Sequence, residues 1–246
     1  VVELEPSLGP IRDQLVGGLH FPGDESGDAR RFCEALAAHA REHGVMFRYG
    51  EAVQRIATDH GRFSGLDTTA GRLHADACVV AAGSYSPLLL KPLGIDLPVR
   101  PVKGYSITLP FGDWQPRPHM PLIDETLHLA ATPLGDRLRV AGTAELAGWD
   151  TRIRGERITN LLHFVERVFP TFPLPAGHQD IGEWSGLRPM SSDGVPILGE
   201  TPVTGLYLAT GYGHLGWTMS SGAGKLVAAC VIDQQLEIDL GAYRLD

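Results

Sequence analysis

Residues 206–229, LYLATGYGHLGWTMSSGAGKLVAA, decide the fold of this chain. The run predicts an apolar strand, a glycine-rich turn and a helix, and Gly211, Gly213 and Gly216 match the G-x-G-x-x-G spacing of a dinucleotide site. Such a fold needs another βαβ unit of about 30 residues after the helix, and too little sequence follows. Glu237 lies near the spacing of a ribose-binding acid but has no further strand to hold it. We therefore interpret the glycines as one wall of a cofactor site whose phosphate-binding half lies elsewhere.

The composition is typical of a globular protein and excludes some classes of partner and site. Of the 246 residues, 43% are hydrophobic and 20% are charged, and the formal net charge is -8. This acidic balance, without a run of Lys or Arg, argues against a nucleic-acid partner. Cys33, Cys78 and Cys230 lie far apart and without metal-ligand spacing. We expect three buried thiols in a reducing compartment, with neither a disulfide framework nor a metal site.

The sequence shows no signal peptide and no uninterrupted apolar stretch of the roughly 18 residues that a membrane-spanning helix needs. These observations predict a cytoplasmic protein and leave open peripheral attachment to the inner membrane. The chain begins at Val1 without an initiating Met or a leading glycine-rich strand, turn and helix. We interpret it as N-terminally incomplete.

The first hundred residues predict alternating helices and strands. Residues 27–44 have the apolar spacing of an amphipathic helix, with Phe32, Leu36 and Ala40 on one face, Asp28 as N-cap and Gly44 as the stop. A strand is predicted directly after it, and then a small meander with turns at residues 59–61 and 70–71. The strand after the helix is predicted at 45–49, and the meander leads to a buried central strand at 77–83 and a short helix at 88–90.

The middle of the chain predicts a different architecture. Prolines bracket residues 102–109, and residues 127–142 read as a β-hairpin that turns at Gly135 and Asp136. An amphipathic helix follows at residues 156–169. We expect an antiparallel sheet in this block and an α/β layer on either side of it in sequence.

Three segments together resemble one known family. Residues 99–108 (VRPVKGYSIT), 186–199 (GLRPMSSDGVPILG) and 211–224 are similar to the FAD-dependent D-amino acid oxidase superfamily, and within it to the small subunits of bacterial D-amino acid dehydrogenases. Each motif is short, but their order and spacing make the match specific. The resemblance spans nearly the whole chain and leaves the family's N-terminal G-x-G-x-x-G βαβ unit unmatched.

The resemblance implies a mixed α/β fold with two parts. One is a Rossmann-like FAD-binding domain of the glutathione-reductase type that lacks its first βαβ unit, and the other is an antiparallel-sheet substrate domain. The expected boundaries are residues 1–22 and 100–186 for the substrate domain, and 23–99 and 187–246 for the FAD-binding domain.

The implied activity is oxidative deamination of D-amino acids, with hydride transfer from Cα to flavin N5 and formation of a 2-oxo acid and ammonia. A quinone or another respiratory acceptor would take the electrons. Three alternatives stay open: an O2-using oxidase of glycine, sarcosine or D-amino acids, a non-catalytic piece without the FAD diphosphate site, and a nicotinamide dehydrogenase.

Arg188 is the first candidate catalytic residue. A guanidinium offers a planar fork that binds a carboxylate through two charge-assisted hydrogen bonds. In similar enzymes the Arg of the G-L-R-P motif holds the substrate carboxylate, and Arg188 occupies that position. The alternative is a structural ion pair with Asp180 or Asp193.

Two further side chains are candidates for the substrate pocket. His214 stands where related glycine oxidases carry a substrate-facing Arg, and it could bind carboxylate, shape the site or be an ordinary loop histidine. Tyr105 follows the P-V-K-G segment on a strand that covers the flavin in this family, although a single Tyr in a sheet is usually a packing residue.

The expected cofactor contacts rest mainly on the resemblance. Backbone N–H groups approach a flat ring closely only where no Cβ intervenes, which favours the glycine turn as the wall beside the flavin pyrimidine. Residues 181–200 contain no Cys, so a thioether link to flavin is not expected. The expected FAD-binding residues are Val53, Ala82, Gly83, Ser84, Gly211, Tyr212, Gly213, His214, Leu215, Gly216, Trp217 and Thr218.

Overall fold

A computed structural model describes residues 1–175, 177 and 180–245, and in this part of the chain it has eleven β-strands and four α-helices. The mixture of helices with antiparallel and parallel strands confirms the predicted mixed α/β class. The chain divides into two compact units, which we call the first and the second unit. The first unit comprises Val1–Ala38 and Lys103–Gly186, and the second comprises His39–Val102 and Leu187–Asp246.

A five-stranded sheet with the order β6-β7-β8-β5-β9 lies mainly in the first unit. The β6-β7, β7-β8 and β5-β8 pairs are antiparallel. The predicted hairpin is confirmed, because β7 and β8 are joined at Gly135 and Asp136 and Gly135 has a φ of +64°. The strands are β5 (Val99–Pro110), β6 (Leu122–Asp124), β7 (Leu129–Leu134), β8 (Arg137–Glu145) and β9 (Trp184–Ser191).

The predicted helix at residues 156–169 is confirmed as α3 (Gly155–Val168), which contacts β8. The apolar spacing brings Ile158, Leu161 and Val165 to one face, and all three are fully buried in the same core cluster as Ile107 of β5. Burial of each such side chain contributes about 1.5–3 kcal/mol. The core of the first unit therefore lies between α3 and its sheet.

The predicted meander is confirmed in the second unit. It consists of β1 (Val53–Asp59), β2 (Arg62–Thr68) and β3 (Gly71–Leu73), in the order β1-β2-β3 with antiparallel pairing. The β1-β2 turn has φ values of 46° at His60 and 77° at Gly61. Two successive positive φ values are those of the tight hairpin turn that matches strand twist.

A second three-stranded sheet has the order β10-β11-β4, with β11 antiparallel to β10 and parallel to β4. These elements are β4 (Cys78–Val80), β10 (Ile197–Glu200) and β11 (Leu206–Thr210). The chain continues from β4 into a 3-10 turn and α2 (Ser86–Leu90), and from β11 into α4 (Gly216–Val231). The decisive run at 206–229 thus folds as the predicted strand, turn and helix, and the short helix at 88–90 is confirmed.

The prediction of a buried central strand at 77–83 is wrong. β4 has three residues and lies at an edge of its sheet, and Val79 remains 39% exposed. An apolar run of this length is compatible with a central strand, but its position in a sheet depends on which segments pair with it.

The helix at 27–44 is confirmed as α1 (Ala29–Glu42), and the Asp28 Oδ1 caps it by accepting from the N–H groups of Arg30 and Arg31 at 3.1 and 3.2 Å. None of its residues is buried, and its Cys33 is exposed while Cys78 and Cys230 are half-buried, so the expectation of three buried thiols is wrong. The predicted strand at 45–49 is also wrong: in the described residues it joins no sheet, and its Phe47 and Tyr49 rings stack on each other instead.

Within the described residues, none of the helices combines the length and the apolar character needed to cross a membrane.

Candidate functional site

The turn after β11 requires glycine at two positions. Gly211 and Gly213 have φ values of 79° and 55°, in the left-handed region that disfavours side chains. A Cβ on Gly211 would lie 3.4 Å from the backbone nitrogen of Ile197, and one on Gly213 would lie 2.9 Å from the Met190 Sδ. The glycines of this turn therefore pack closely against β9 and β10.

The N-terminus of α4 faces the end of this turn. The helix begins at Gly216, and the residue before it, Leu215, makes no side-chain hydrogen bond to cap the first turn. The first N–H groups of a helix lack partners within the helix and carry partial positive charge. Trp217 and Thr218 belong to this first turn and are exposed. This end of α4 can stabilise negative charge on a neighbouring group.

A second turn with positive φ follows β4, beside β11. Gly83 has a φ of 54°, and the next residue, Ser84, is buried. The Ser84 Oγ donates a hydrogen bond of 3.4 Å to the carbonyl oxygen of Leu187 in β9. The predicted cofactor residues Ala82, Gly83 and Ser84 thus lie on a turn that contacts the segment carrying the G-L-R-P motif.

The backbone carbonyls on either side of Arg188 both accept hydrogen bonds from the two glycine turns. Its preceding carbonyl, Leu187 O, accepts from Ser84, and its following carbonyl, Pro189 O, accepts from the Gly213 N–H at 2.9 Å. A β-bridge between Met190 and Tyr212 continues this contact. The backbone of Arg188 is therefore fixed relative to both turns.

The Arg188 side chain is half-buried, and burial lowers the pKa of its guanidinium. An Arg starts so far above neutrality that it stays charged. The Asp193 carboxylate, one of the two alternative partners, accepts from the backbone N–H of Val195 at 3.0 Å in its own turn. A partly desolvated cation of this kind is stabilised by an anionic ligand, and a carboxylate fits its fork.

The second unit brings most of the predicted residues to the same two turns. His214 and Leu215 lie in the β11-α4 turn and are exposed, and the half-buried Tyr212 has the pKa of its phenol raised by burial. Val53 lies elsewhere, at the start of β1 in the meander. The roles of all these residues stay predictions. Among the described residues, no group of three or more His, Cys, Asp or Glu is arranged to bind a metal ion.

Tyr105 belongs to the first unit, where its hydroxyl is part of a polar cluster. Its side chain is 1% exposed, and its hydroxyl donates to the Glu145 Oε2 at 2.6 Å. Burial and this hydrogen bond raise the pKa of Tyr105, and the same bond lowers the pKa of Glu145. The interpretation of Tyr105 as a substrate contact stays a prediction, while its packing role is visible.

The cluster also contains a lysine that sequence reasoning missed. Lys103 is fully buried, its Nζ donates to the carbonyl oxygen of Arg152 at 2.7 Å, and it lies 3.7 Å from the Glu145 Oε2. Arg154 completes the cluster at 3.2 Å from the Glu145 Oε1. Lys103 is paired with Glu145 in the β5-β8 register, so a correct alignment of these two predicted strands is the signal that could have found the pair.

Comparison with known proteins agrees with this arrangement. The family described as FAD dependent oxidoreductase (DAO) matches residues 1–230 of the chain. A protein of Sinorhizobium medicae named D-amino acid dehydrogenase is 48% identical over 238 residues, which cover 97% of this chain and 56% of that protein. A protein of the same name from Bradyrhizobium diazoefficiens is 44% identical over 248 residues, covering 100% and 58%. The chain spans a little over half the length of these relatives.

Solved structures of amino-acid oxidases share the fold. The glycine oxidase from Geobacillus kaustophilus superposes with a TM-score of 0.88 at 30% identity, over 100% of this chain and 64% of that one. The iminodiacetate oxidase from Chelativorans sp. BNC1 gives a TM-score of 0.77 at 26% identity, over 87% of this chain and 57% of that one.

Proposed function

Because this chain belongs to the FAD-dependent oxidoreductase family, we propose that the whole protein oxidises D-amino acids at Cα. The amino acid loses a hydride and a proton to become an imino acid, which water hydrolyses to a 2-oxo acid and ammonia. The proposal is supported by the 48% identity to a D-amino acid dehydrogenase. The observation that carries it is the partly desolvated guanidinium of Arg188, on a backbone whose flanking carbonyls, Leu187 O and Pro189 O, accept from the Ser84 hydroxyl and the Gly213 N–H.

The residues of the second unit fit one side of FAD. Two turns with positive φ, at Gly83 and Gly211, present backbone without Cβ atoms, and the uncapped N-terminus of α4 follows the second of them. Ala82 to Ser84 and Gly211 to Thr218 would hold the cofactor there, with N–H groups at its electron-rich edge. FAD supplies the two-electron acceptor for the hydride that leaves Cα. We also propose residues 23–99 and 187–246 as the FAD-binding part of the chain.

The chain's own residues orient the substrate. Arg188 binds the carboxylate through two parallel hydrogen bonds and so fixes the direction in which Cα–H points. His214, exposed in the glycine turn, would line the entrance of the site. Because the carboxylate contact persists through the reaction, it contributes mainly to substrate binding and alignment.

The proposed electron acceptor is a respiratory quinone, which would place the protein at the cytoplasmic face of the inner membrane. The competing function is an O2-using oxidase, and the TM-score of 0.88 to a glycine oxidase favours it. The whole protein, reduced anaerobically with D-alanine, is then mixed with O2 or with a soluble quinone. Fast reoxidation by the quinone alone supports the dehydrogenase, and fast reoxidation by O2 supports the oxidase.

The 246-residue chain by itself is expected to bind FAD weakly, because the part of it that the structure describes contains no diphosphate-binding βαβ unit. Titration with FAD, followed by flavin fluorescence, tests this expectation against the whole protein. Tight binding by the isolated chain would contradict it.

A substitution at the glycine turn tests its proposed role in the whole protein. Gly213→Ala places a Cβ on a left-handed backbone, which costs about 1–2 kcal/mol, and requires Met190 to move. We expect a raised Kd for FAD. The matched control is Gly222→Ala in the middle of α4, where a Cβ has nothing within 4 Å. It should leave the Kd unchanged and raise stability by about 0.5–1 kcal/mol, because alanine favours helix. Equal FAD affinity in both variants would count against the assignment of the turn.

A further inference from the structure

We propose that Thr210 is a positioning residue for the cofactor site. Its hydroxyl joins the Gly83 turn to the end of β11 and so sets the relative position of the two turns that hold Arg188. This inference rests on the proposed FAD site, and nothing in the family match or the sequence motifs assigns a role to Thr210 or to its partner Ser86.

The topology places the two turns side by side. β4 and β11 are parallel neighbours in register, with Val80 opposite Leu208. Their carboxyl ends therefore meet at one edge of the sheet, where open α/β sheets bind ligands. Thr210 is the last residue of β11, directly before Gly211.

The hydroxyl of Thr210 bridges the two turns within the protein interior. Its Oγ1 donates to the carbonyl oxygen of Gly83 at 3.1 Å and accepts from the Ser86 Oγ at 3.3 Å. Thr210 and Ser86 are both fully buried. A buried hydroxyl with both a donor and an acceptor partner is worth more than an exposed one, because neither group can turn to water when the contact is lost.

The same connection reaches Arg188 through the backbone. Gly83 is followed by Ser84, whose hydroxyl donates to Leu187 O, and Gly213 donates to Pro189 O. The segments 83–86, 187–190 and 210–213 thus form a closed ring of hydrogen bonds around the backbone of Arg188. Thr210 closes this ring, since it makes the side-chain contact between the first and the third segment.

The test compares variants of the whole protein. Thr210→Val keeps the shape of the side chain but removes the hydroxyl, whereas Thr210→Ser keeps the hydroxyl. The matched control is Thr201→Val at the opposite end of the β10-β11 pair, where the Thr201 hydroxyl donates to Val203 O at 3.2 Å. The readouts are the Kd for FAD, the visible circular dichroism of bound flavin, which reports its surroundings, and the melting temperature.

Thr210→Val removes both hydrogen bonds of this hydroxyl, and we expect it to raise the Kd for FAD about threefold to tenfold and to change the flavin dichroism. Thr210→Ser should restore both readouts, and Thr201→Val should leave both unchanged. An unchanged Kd and spectrum in Thr210→Val would overturn the inference. The inference would also be overturned if Thr201→Val lost as much affinity for FAD as Thr210→Val and both losses matched the drop in melting temperature. The effect on FAD binding would then be due to general destabilisation.

If Thr210→Val does not fold, Thr210→Ala decides by the same readouts, since it also removes the hydroxyl and leaves a smaller side chain. A changed Kd and flavin dichroism supports the inference, and parental values overturn it. The proposed function fails separately: a parent protein that binds FAD but is not reduced by D-alanine contradicts D-amino acid oxidation and leaves the Thr210 comparison valid. A parent protein that does not bind FAD overturns both.

Discussion

Replacing Arg188 with leucine in the whole protein is expected to raise the KM for D-alanine about 100-fold or more while FAD stays bound. The substitution removes the proposed bidentate partner of the substrate carboxylate, and loss of one member of such a partly desolvated pair costs about 2–5 kcal/mol. Steady-state kinetics at saturating acceptor measure the KM, and the flavin absorption spectrum measures cofactor content.

Two controls make this result specific. Arg100→Leu removes a guanidinium in the second unit that donates to the carbonyls of Leu97 and Val99, and it should leave KM unchanged. A substrate control is D-alaninol, which lacks the carboxylate and should be oxidised equally poorly by the parent and by Arg188→Leu. Unchanged kinetics for D-alanine in Arg188→Leu would show that Arg188 does not bind the substrate carboxylate.

Replacing Glu145 with leucine should lower the melting temperature of the protein by on the order of 10 °C. Lys103 is fully buried, and Glu145 is its carboxylate neighbour at 3.7 Å, so the substitution leaves a buried cation without its counter-charge. The Tyr105 hydroxyl loses its acceptor at the same time. Thermal unfolding followed by circular dichroism measures the change.

Substitutions of Lys103 and of Glu145 should lower the melting temperature by different amounts, and the two effects should not add up in the double variant. Lys103→Met buries an apolar side chain in place of the cation and should cost less than Glu145→Leu, and the double variant should recover part of the loss. The matched control is Glu237→Leu, which breaks an exposed Lys225–Glu237 pair of 2.6 Å and should shift the melting temperature little. Equal effects of Glu145→Leu and Glu237→Leu would show that the buried cluster does not stabilise the fold.

Local patterns in the sequence were sufficient for the elements whose partners are near in the chain. The meander at β1 to β3, the hairpin of β7 and β8, and α3 are confirmed because their periodicity and turn residues are local signals. The decisive run was predicted as strand, turn and helix for the same reason, since glycine spacing and the apolar segments are contiguous.

Predictions that depended on distant partners were wrong. The apolar run at 77–83 became an edge strand, residues 45–49 joined no sheet in the described part, and Cys33 of α1 is exposed where a buried thiol was expected. A strand exists only with a neighbour, and an apolar helix face is buried only if another element covers it. Neither condition can be read from the segment itself.

The sequence was sufficient to predict the main residues of the candidate site, but not the side-chain contacts that support them. The Gly211 turn and Arg188 carry recognisable motifs, and the structure joins them through the Pro189 carbonyl. The Lys103–Glu145 pair and the Thr210 hydroxyl were missed, because Lys103 and Glu145 are 42 positions apart in sequence and Thr210 meets a carbonyl 127 positions away. Such contacts require strand registers that single-sequence reasoning does not supply.

Anaerobic mixing of the FAD-loaded whole protein with D-alanine tests the central claim most directly. We predict that the visible absorption band of the flavin bleaches with D-alanine and not with L-alanine, and that a 2-oxo acid appears in an amount equal to the reduced flavin. An oxidised flavin spectrum that persists in the presence of several D-amino acids would contradict the claim.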